Sequence, residues 1–356
     1  MKAEDKMANS KLKLGFYWAA SCGGCEIAVL DLNEKILDVV QLADIVFWPV
    51  AIDIKYNNVE AMPDKYMDIC LFNGAIRSEE QERIAKLLRQ KTKILIAFGA
   101  CAQDGGIPSL ANLHDREEIF EHVYFGTKST LNPEKSFPTV KTEVGEGVLK
   151  LPELHDRVKT LDQTVEVDYY IPGCPPPVKL ITKAVEAIAK NELPPKGSVL
   201  APLKSVCDEC SRKKENKMIS KIYRVYEKNP EPEKCLLEQG ILCAGLATRS
   251  GCGAQCLTVD MPCTGCGGRC PNSPEQGAAL LASIASIMGL ENDQQSHTKE
   301  DVENLMSQIK DPVGTFYMYS LAQSILGEKA TAIKKRPENL TLKADFAQKA
   351  QSTAPA

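Results

Sequence analysis

Fourteen cysteines are the residues of this chain with the clearest capacity for chemistry, and twelve or thirteen of them have the spacing of ligands. Five lie between Cys252 and Cys270, among glycines and prolines that offer little material for a core. A second group consists of Cys207, Cys210, Cys235 and Cys243. A third group is scattered through the first part of the chain and consists of Cys22, Cys25, Cys101 and Cys174. Cysteine-dense segments of this kind fold around metal, so we expect three metal centres.

Length and charge limit the possible functions. The 356 residues, 44% of them apolar, are enough for two domains with a substantial core. With 43 Lys plus Arg against 47 Asp plus Glu, the net charge near -4 offers no field for nucleic acid or an anionic membrane. No apolar leader and no membrane-length apolar run is present, which predicts a cytoplasmic chain without a membrane span. In a reducing cytosol, thiols are better explained as metal ligands than as disulfides.

The elements that must position these cysteines alternate between strand and helix. Apolar runs with the length of buried strands occupy residues 13–20, 44–50, 67–73, 93–98 and 165–171. Helical spacing follows several of them, and Ser78 to Gln81 form a capping box. We interpret residues 107–164 as long loops with one helix near 115–123. This alternation predicts an α/β fold with a mainly parallel, doubly wound sheet.

Four cysteines follow directly after predicted strands. In a parallel sheet, sites form beyond the carboxyl ends of the strands, so Cys22, Cys25, Cys101 and Cys174 are expected to converge on one edge. Four thiolates can hold one 4Fe-4S cluster. Zinc suits four cysteines equally well, and a lone Cys-x-x-Cys also fits a thioredoxin-type redox pair. The large number of ligand-like cysteines makes repeated zinc sites the less attractive alternative.

A boundary is predicted at residues 191–198, where periodicity fades and cysteine density rises. We therefore expect a sheet domain at 1–196, a cysteine-rich domain with little regular secondary structure at 197–290, and a helical extension and tail at 291–356. A basic, polar insert, residues 211–221, lies between Cys210 and Cys235. Glycines beside the thiols let the backbone approach a bound cluster and turn its amides toward sulfur.

Five motifs carry a resemblance to a known family. They are Cys22-Gly-Gly-Cys25, Gly99-Ala-Cys101-Ala, Pro172-Gly-Cys174-Pro-Pro, Cys235-Leu-Leu-Glu-Gln-Gly-Ile-Leu-Cys243 and Pro262-Cys-Thr-Gly-Cys266. With them the chain resembles the small subunits of nickel-iron hydrogenases. The resemblance is strongest to the cytosolic, methyl-viologen-reducing and deazaflavin-non-reducing type associated with heterodisulfide reductase.

The resemblance implies a flavodoxin-like first domain and three 4Fe-4S clusters, and no nickel in this chain. It implies three sets of ligands, here named proximal (Cys22, Cys25, Cys101, Cys174), medial (Cys252, Cys256, Cys263, Cys266) and distal (Cys207, Cys210, Cys235, Cys243). Many membrane-bound relatives have His at the first distal position, where this chain has Cys207. Many also hold a three-iron medial cluster on three cysteines, whereas Cys256 is available here as a fourth. Cys270 remains open between an alternative fourth ligand and a spare thiol.

The resemblance further implies that dihydrogen is split in a large subunit with the nickel-iron centre. Electrons would then pass through this chain to an iron-sulfur adaptor and a flavin-containing heterodisulfide reductase. The alternatives are a deazaflavin-reducing hydrogenase and a formate- or quinone-linked complex, and a zinc-stabilised scaffold is a third, non-redox interpretation. Complex-I-like relatives carry adjacent cysteines in the first motif and usually lack the second cluster domain, so Cys22-x2-Cys25 and the later sets favour a hydrogenase.

Three other features have two interpretations each. Cys70, inside an apolar strand, is expected to be a core thiol. Glu26 follows the first pair of cysteines at a helix start, where a carboxylate can be structural or can handle protons. The apolar aromatic stretch 311–321 can belong to the core or contact the large subunit.

Overall fold

The computed structural model describes residues 11–289 and 298–326. The predicted tail beyond residue 326 and the first part of the predicted extension, 291–297, lie outside the described residues. Within the described ranges, none of the helices combines the length and the apolar character that a bilayer crossing requires.

Six parallel strands form the central sheet, in the order β10-β9-β5-β3-β1-β2. The strands of the described residues are β1 (Leu12–Trp18), β2 (Ala43–Phe47), β3 (Met67–Asn73), β4 (Ile76–Ser78), β5 (Thr92–Phe98), β6 (Lys141–Val144), β7 (Gly147–Lys150), β8 (Leu154–Lys159), β9 (Tyr169–Ile171) and β10 (Ser198–Val199). Counting only strands of this sheet, the first five follow the 2-1-3-4-5 order of flavodoxin-like folds. The predicted parallel α/β fold is confirmed.

Helices cover both faces of the sheet. The helices of the described residues, including those of the cysteine-rich region, are α1 (Gly24–Leu30), α2 (Ile36–Leu42), α3 (Tyr56–Ala61), α4 (Glu79–Lys91), α5 (Ala100–Asp104), α6 (Arg116–Glu121), α7 (Val178–Ala189), α8 (Gln255–Thr258), α9 (Gln276–Ile287), α10 (Lys299–Met306) and α11 (Pro312–Phe316). Alternate residues of β3 face opposite sides, as strand geometry requires. Ile69 and Leu71 pack with α1 and α7, and Cys70 and Phe72 pack with α4.

The capping box predicted at Ser78 forms as expected. Its Oγ accepts the N–H of Gln81, and the Gln81 side chain accepts the backbone N–H of Ser78. Ile84 and Leu88 on the inner face of α4 are fully buried. Local sequence and tertiary packing therefore agree on where this helix begins and which face it buries.

Two regions differ from the expectation. Of the strand predicted at 165–171, only the last three residues form a strand. The start of the predicted segment belongs to a turn, in which the Val165 N–H donates to the Leu161 carbonyl. Residues 107–164 are more regular than long loops: besides the expected helix, α6, they contain the hairpin β6-β7 and the strand β8, which pairs with β4. Every residue of β6 and β7 is exposed, so these strands lack the apolar alternation that would reveal them.

The cysteine-rich region, by contrast, consists mostly of turns around one hydrophobic core. This core includes Cys243 and Cys263 together with Leu236, Leu280 and Ile284. The helix α9 contributes the last two residues, and a turn at Ala244–Ala247 packs against it. Two predicted ligands, Cys243 and Cys263, therefore belong to a hydrophobic core and not to a solvated loop.

The segment 311–326 joins the two regions. Phe316 is buried in the cysteine-rich core, whereas the carbonyl of Tyr319 accepts the backbone N–H of Gly106 in the sheet domain at 2.9 Å. Gln323 donates from Nε2 to the carbonyl of Gln103 at 3.3 Å. Of the two interpretations of the aromatic stretch, the structure supports a core element.

Candidate metal centres

The proximal set gathers at the carboxyl edge of the central sheet. Cys22 and Cys25 follow β1, Cys101 follows β5, and Cys174 follows β9. The Cys25 thiol is buried, and burial is the largest cause that raises its pKa. The thiols of the other three members of the set raise this pKa further. Burial likewise raises the pKa of Cys101 to about 12, again with proximal thiols as the next cause. The structure therefore brings the four predicted residues together.

Glycine makes this gathering possible at two positions. Gly99 has φ +88°, and a Cβ there would overlap the Cys25 sulfur. Gly106 has φ +57°, and a Cβ there would lie 2.5 Å from the sulfur of Cys101. The loops are also tied to each other, because Ala100 donates its N–H to the carbonyl of Gly173 at 2.7 Å. Only glycine combines these left-handed conformations with such close approach.

Glu26 is a buried anchor beside the proximal set. Its carboxylate accepts the indole N–H of Trp48 and, at 3.3 Å, the side-chain N–H of Asn73. Asn73 in turn accepts the hydroxyl of Ser21 at 2.9 Å, directly before Cys22. Burial raises the pKa of Glu26, and the two hydrogen bonds oppose that shift. These contacts fix the turn that carries Cys22 and Cys25, which supports the structural interpretation of Glu26.

The distal set lies around the turn at Ala244–Ala247. A Cβ at Gly245 would contact the sulfurs of both Cys207 and Cys243, at 3.5 and 3.6 Å. Burial raises the pKa of Cys207 to about 11; Lys214 lowers it, and the three other distal thiols raise it. The sulfur of Cys243 accepts the backbone N–H of Cys263 at 3.4 Å. The four distal cysteines, which come from residues 207–243, are therefore neighbours.

The medial set borders a cavity of about 860 Å³. Its lining includes all four predicted medial cysteines and Cys174 of the proximal set. The pKa of Cys266 is raised to about 11, mainly by burial. A backbone N–H of Cys174 opposes this shift, and the thiols of Cys252, Cys174 and Cys256 add to it. The medial set thus adjoins the proximal set through Cys266 and Cys174. It adjoins the distal set through Cys263 and Cys243.

The two remaining cysteines lie elsewhere. Cys70 is fully buried in β3 and packs in the sheet core, as predicted. Cys270 donates from Sγ to the carbonyl of Leu246 at 3.4 Å, and it is absent from the lining of the medial cavity. Burial raises the pKa of Cys270, and the Arg249 guanidinium opposes that shift. Its surroundings differ from those of Cys256, which lines the cavity.

The donor sets fit iron-sulfur clusters chemically. Each offers four thiols. Burial raises the pKa values of Cys25, Cys101, Cys174, Cys207, Cys243, Cys263 and Cys266. Backbone N–H groups point at sulfur, as at Cys243 and at Cys22, which accepts from Gly24 at 3.4 Å. Such N–H groups stabilise the anionic sulfur of a cluster. Among the described residues, no three Cys, His, Asp or Glu side chains converge tightly enough to hold a single metal ion.

Known proteins similar to this chain decide its family. The family described as NADH ubiquinone oxidoreductase, 20 Kd subunit, matches residues 22–188. The iron-sulfur subunit of the F420-non-reducing hydrogenase of Archaeoglobus profundus is 42% identical over 326 residues, which cover 89% of this chain and 98% of that protein. The chain belongs to this family of F420-non-reducing hydrogenase subunits. It is a hydrogenase subunit of the small, nickel-iron type, so the resemblance stated from its motifs is confirmed.

Other members and relatives extend this comparison. The corresponding subunit of the F420-non-reducing hydrogenase of Methanothermobacter marburgensis is 35% identical over 322 residues, or 90% of this chain and 97% of that protein. Among solved structures, a chain of an NAD⁺-reducing NiFe-hydrogenase in the H₂-reduced state shows 27% identity and a TM-score of 0.45. That match covers 52% of this chain and 94% of the other.

Two supporting residues of this hydrogenase subunit were not predicted. Asn73 is buried at the end of β3, and its signal was an amide directly after the apolar residues of that strand. Glu209 accepts the N–H groups of Gly251 and Gly253, at 3.0 and 2.8 Å. It so joins the Cys207–Cys210 turn to the backbone on both sides of Cys252, the first medial cysteine. Its only signal was an acidic residue between two paired cysteines, which is too common a pattern to identify a role.

Proposed function

We propose that this chain conducts electrons from dihydrogen oxidation in a large subunit through three 4Fe-4S clusters. The observation that carries the proposal is the contiguity of the cysteine sets. Cys266 adjoins Cys174, and Cys263 adjoins Cys243, so the medial set lies between the other two. Electron transfer through a protein requires such a series of closely spaced centres, whereas unrelated zinc sites do not.

In this proposal, each set holds one cluster through its four thiolates, with Cys256 as the fourth medial ligand. A bound 4Fe-4S cluster supplies one-electron chemistry at a potential set by charge, burial and hydrogen bonds to sulfur. The chain's own groups provide that setting. The Cys263 N–H stabilises negative charge on the Cys243 sulfur, and the Gly24 N–H does so on Cys22. Burial of Cys25, Cys101 and Cys263 excludes water from the sulfur atoms.

The partners follow from the two ends of this series. We propose that the large subunit with the nickel-iron centre docks at the proximal edge, where Trp18 at the end of β1 and Ile27 and Leu30 on α1 expose apolar side chains. We propose that an iron-sulfur adaptor and a flavin-containing heterodisulfide reductase receive electrons at the distal end. The names of the similar hydrogenase subunits support the F420-non-reducing type. A cytoplasmic location and the domain limits 1–196, 197–290 and 291–356 belong to the same proposal.

Metal analysis tests this function directly. Anaerobically purified chain should be brown and contain about twelve irons and about twelve acid-labile sulfides, because four thiolates hold each 4Fe-4S cluster. Cys22→Ser, Cys263→Ser and Cys235→Ser should each remove the signal of one cluster. Cys70→Ala, which changes a core thiol, is the matched control and should leave the iron content unchanged. Stoichiometric zinc without labile sulfide would reject the proposal.

A further inference from the structure

The loop between Cys210 and Cys235, residues 211–234, differs in charge from the rest of the chain. It contains eight Lys or Arg and four Glu, whereas the whole chain has a net charge of -4. The two residues that flank the loop, Cys210 and Cys235, are predicted distal ligands. A locally positive surface on an acidic protein, next to a predicted cluster, requires a reason beyond solubility.

Most acidic side chains near this loop are already engaged. Glu215 pairs with Lys217, Glu231 with Lys234, and Glu233 with Lys213. Glu227 accepts the backbone N–H of Arg224 at 2.7 Å. Of the eight cations in the loop, Arg212, Lys213, Lys217 and Lys234 have a carboxylate within ion-pair distance among the described residues, and Lys214, Lys221, Arg224 and Lys228 do not. The loop therefore presents uncompensated positive charge, which we name the basic patch, defined by these four residues.

The backbone that displays the patch is held in place from beneath. The guanidinium of Arg212 is almost completely buried and donates to the carbonyls of Leu257 and Lys234, at 3.1 and 3.0 Å. Glu238 accepts the N–H groups of Glu215 and Asn216. A surface that is fixed before binding loses little conformational entropy when a partner docks.

Apolar and aromatic contact area accompanies the charge. Tyr226 is 82% exposed and Val225 is 43% exposed. Tyr223 lies below them with the ammonium groups of Lys221 and Lys228 each 4.9 Å from its ring centre. Tyrosine and arginine are enriched where protein partners make their strongest contacts. This combination is typical of a protein interface and not of a merely solvated loop.

The patch also leads to predicted cluster ligands. A groove of about 610 Å³ is lined by Tyr223, Arg224 and Tyr226 at the loop, and by Cys243 and Cys263 at the other side. Lys214 lowers the pKa of Cys207, which places its charge close to the distal set. A partner seated on the loop would therefore lie close to the distal thiols.

From these observations we propose that the basic patch docks an acidic electron-acceptor protein, whose carboxylates surround its own redox centre. The inference rests on the proposed electron-transfer function and adds the surface and the charge of the partner. Complementary charge raises the rate of encounter and gives weak, salt-sensitive complexes suited to electron transfer. A second copy of this chain is the alternative partner for the surface that exposes Tyr226 and Val225. The molecular mass in solution distinguishes such a dimer from a complex with an acceptor protein.

The test uses the assembled hydrogenase with dihydrogen as donor. The probes are an acidic 4Fe-4S ferredoxin and the dication methyl viologen. Lys221→Glu/Arg224→Glu should slow ferredoxin reduction roughly tenfold at low ionic strength and weaken its salt dependence, because electrostatic steering is lost. Viologen reduction should be kept. Lys128→Glu/Lys150→Glu, at exposed positions in the 107–164 segment, has the same change in charge and should behave as wild type.

The outcomes separate the two proposals. If the wild-type complex lacks iron-sulfur clusters or reduces no viologen, the proposed function fails. If viologen reduction is intact and the loop variant reduces ferredoxin as fast as the control variant, only the basic-patch proposal fails. If the loop variant also loses viologen reduction, Lys221→Gln/Arg224→Gln is measured for ferredoxin binding to the oxidised complex, where unchanged affinity overturns the proposal. A wild-type dimer that Tyr226→Ser converts to a monomer, with unchanged ferredoxin kinetics, also overturns it.

Discussion

The sulfur of Cys25 occupies the space that a Cβ at Gly99 would need. Gly99→Ala should therefore displace this thiol, which we propose as a cluster ligand, and the positive φ of residue 99 adds backbone strain. We expect iron to fall from about twelve to about eight per chain, with loss of the proximal cluster's EPR signal. Gly145→Ala is the matched control, because no atom lies within 4 Å of a Cβ there. Full iron content in Gly99→Ala would contradict the assignment of Cys25.

Cys256 and Cys270 provide the second prediction, because both are near the medial segment and only Cys256 lines the medial cavity. Cys256→Ser should convert the medial cluster to a three-iron form, visible by EPR in the oxidised protein. Cys270→Ser should leave the spectra unchanged and lose only its contact with the Leu246 carbonyl. The reverse pattern would make Cys270 the ligand and Cys256 the spare thiol.

A third prediction concerns the direction of electron flow. Cys207→Ser should slow electron delivery to a protein acceptor, while isotope exchange between dihydrogen and water, which needs only the nickel-iron centre, should largely persist. Cys101→Ser changes a proposed ligand at the sheet edge, so reduction of every acceptor should collapse, including small dyes. Both variants must retain the large subunit, because loss of a cluster can unfold its domain. The order of the clusters is wrong if exchange stops in Cys207→Ser and acceptor reduction survives in Cys101→Ser.

The fourth prediction is a pH dependence of stability at Asp104. Burial raises the pKa of this carboxyl to about 7, and the amide of Gln103 opposes the shift. Asp162, Tyr170, Arg249 and Arg269 face the same small polar cavity. Between pH 4 and 7 the folded chain holds a proton that the unfolded chain has lost, so this group destabilises the fold increasingly as pH rises.

Asp104→Asn should therefore raise the free energy of unfolding by an amount on the order of 4 kcal/mol at pH 8, and by little at pH 4. The measurement is the melting temperature of cluster-loaded protein at several pH values and one scan rate, since unfolding is irreversible once clusters are lost. Asp53→Asn is the control: Lys55 lowers the pKa of this exposed carboxyl, so no gain is expected. A pH-independent difference between Asp104→Asn and wild type would contradict the prediction.

Sequence predicted the sheet well because apolar runs such as Met67–Asn73 are long, continuous and buried on both faces. The convergence of Cys101 and Cys174 followed from a general property of parallel sheets and needed no contact information. The hairpin at 141–150 and the two-residue strand β10 were missed, because neither has a hydrophobic periodicity.

The adjacency of the three cysteine sets could not be predicted from spacing. It depends on single long-range contacts, such as the Cys263 N–H on the Cys243 sulfur and the Cys174 N–H near Cys266. The role of Asn73 was also hidden, because an amide at a strand end has many possible partners until Glu26 and Ser21 are placed beside it. Sequence spacing identifies donors, and tertiary structure determines which donors meet.

The 311–326 segment constrains when the chain can reach its final form. Its contact between Gln323 and Gln103 spans 220 residues, so it closes one of the largest loops in the molecule. During synthesis, Cys101 and Cys207 leave the ribosome well before this segment exists. Until then the two cysteine regions are held together only by their direct contacts, such as that between Cys174 and Cys266, and long-range closure of this kind is slow. Maturation factors that insert iron and sulfide would find their widest access in that interval.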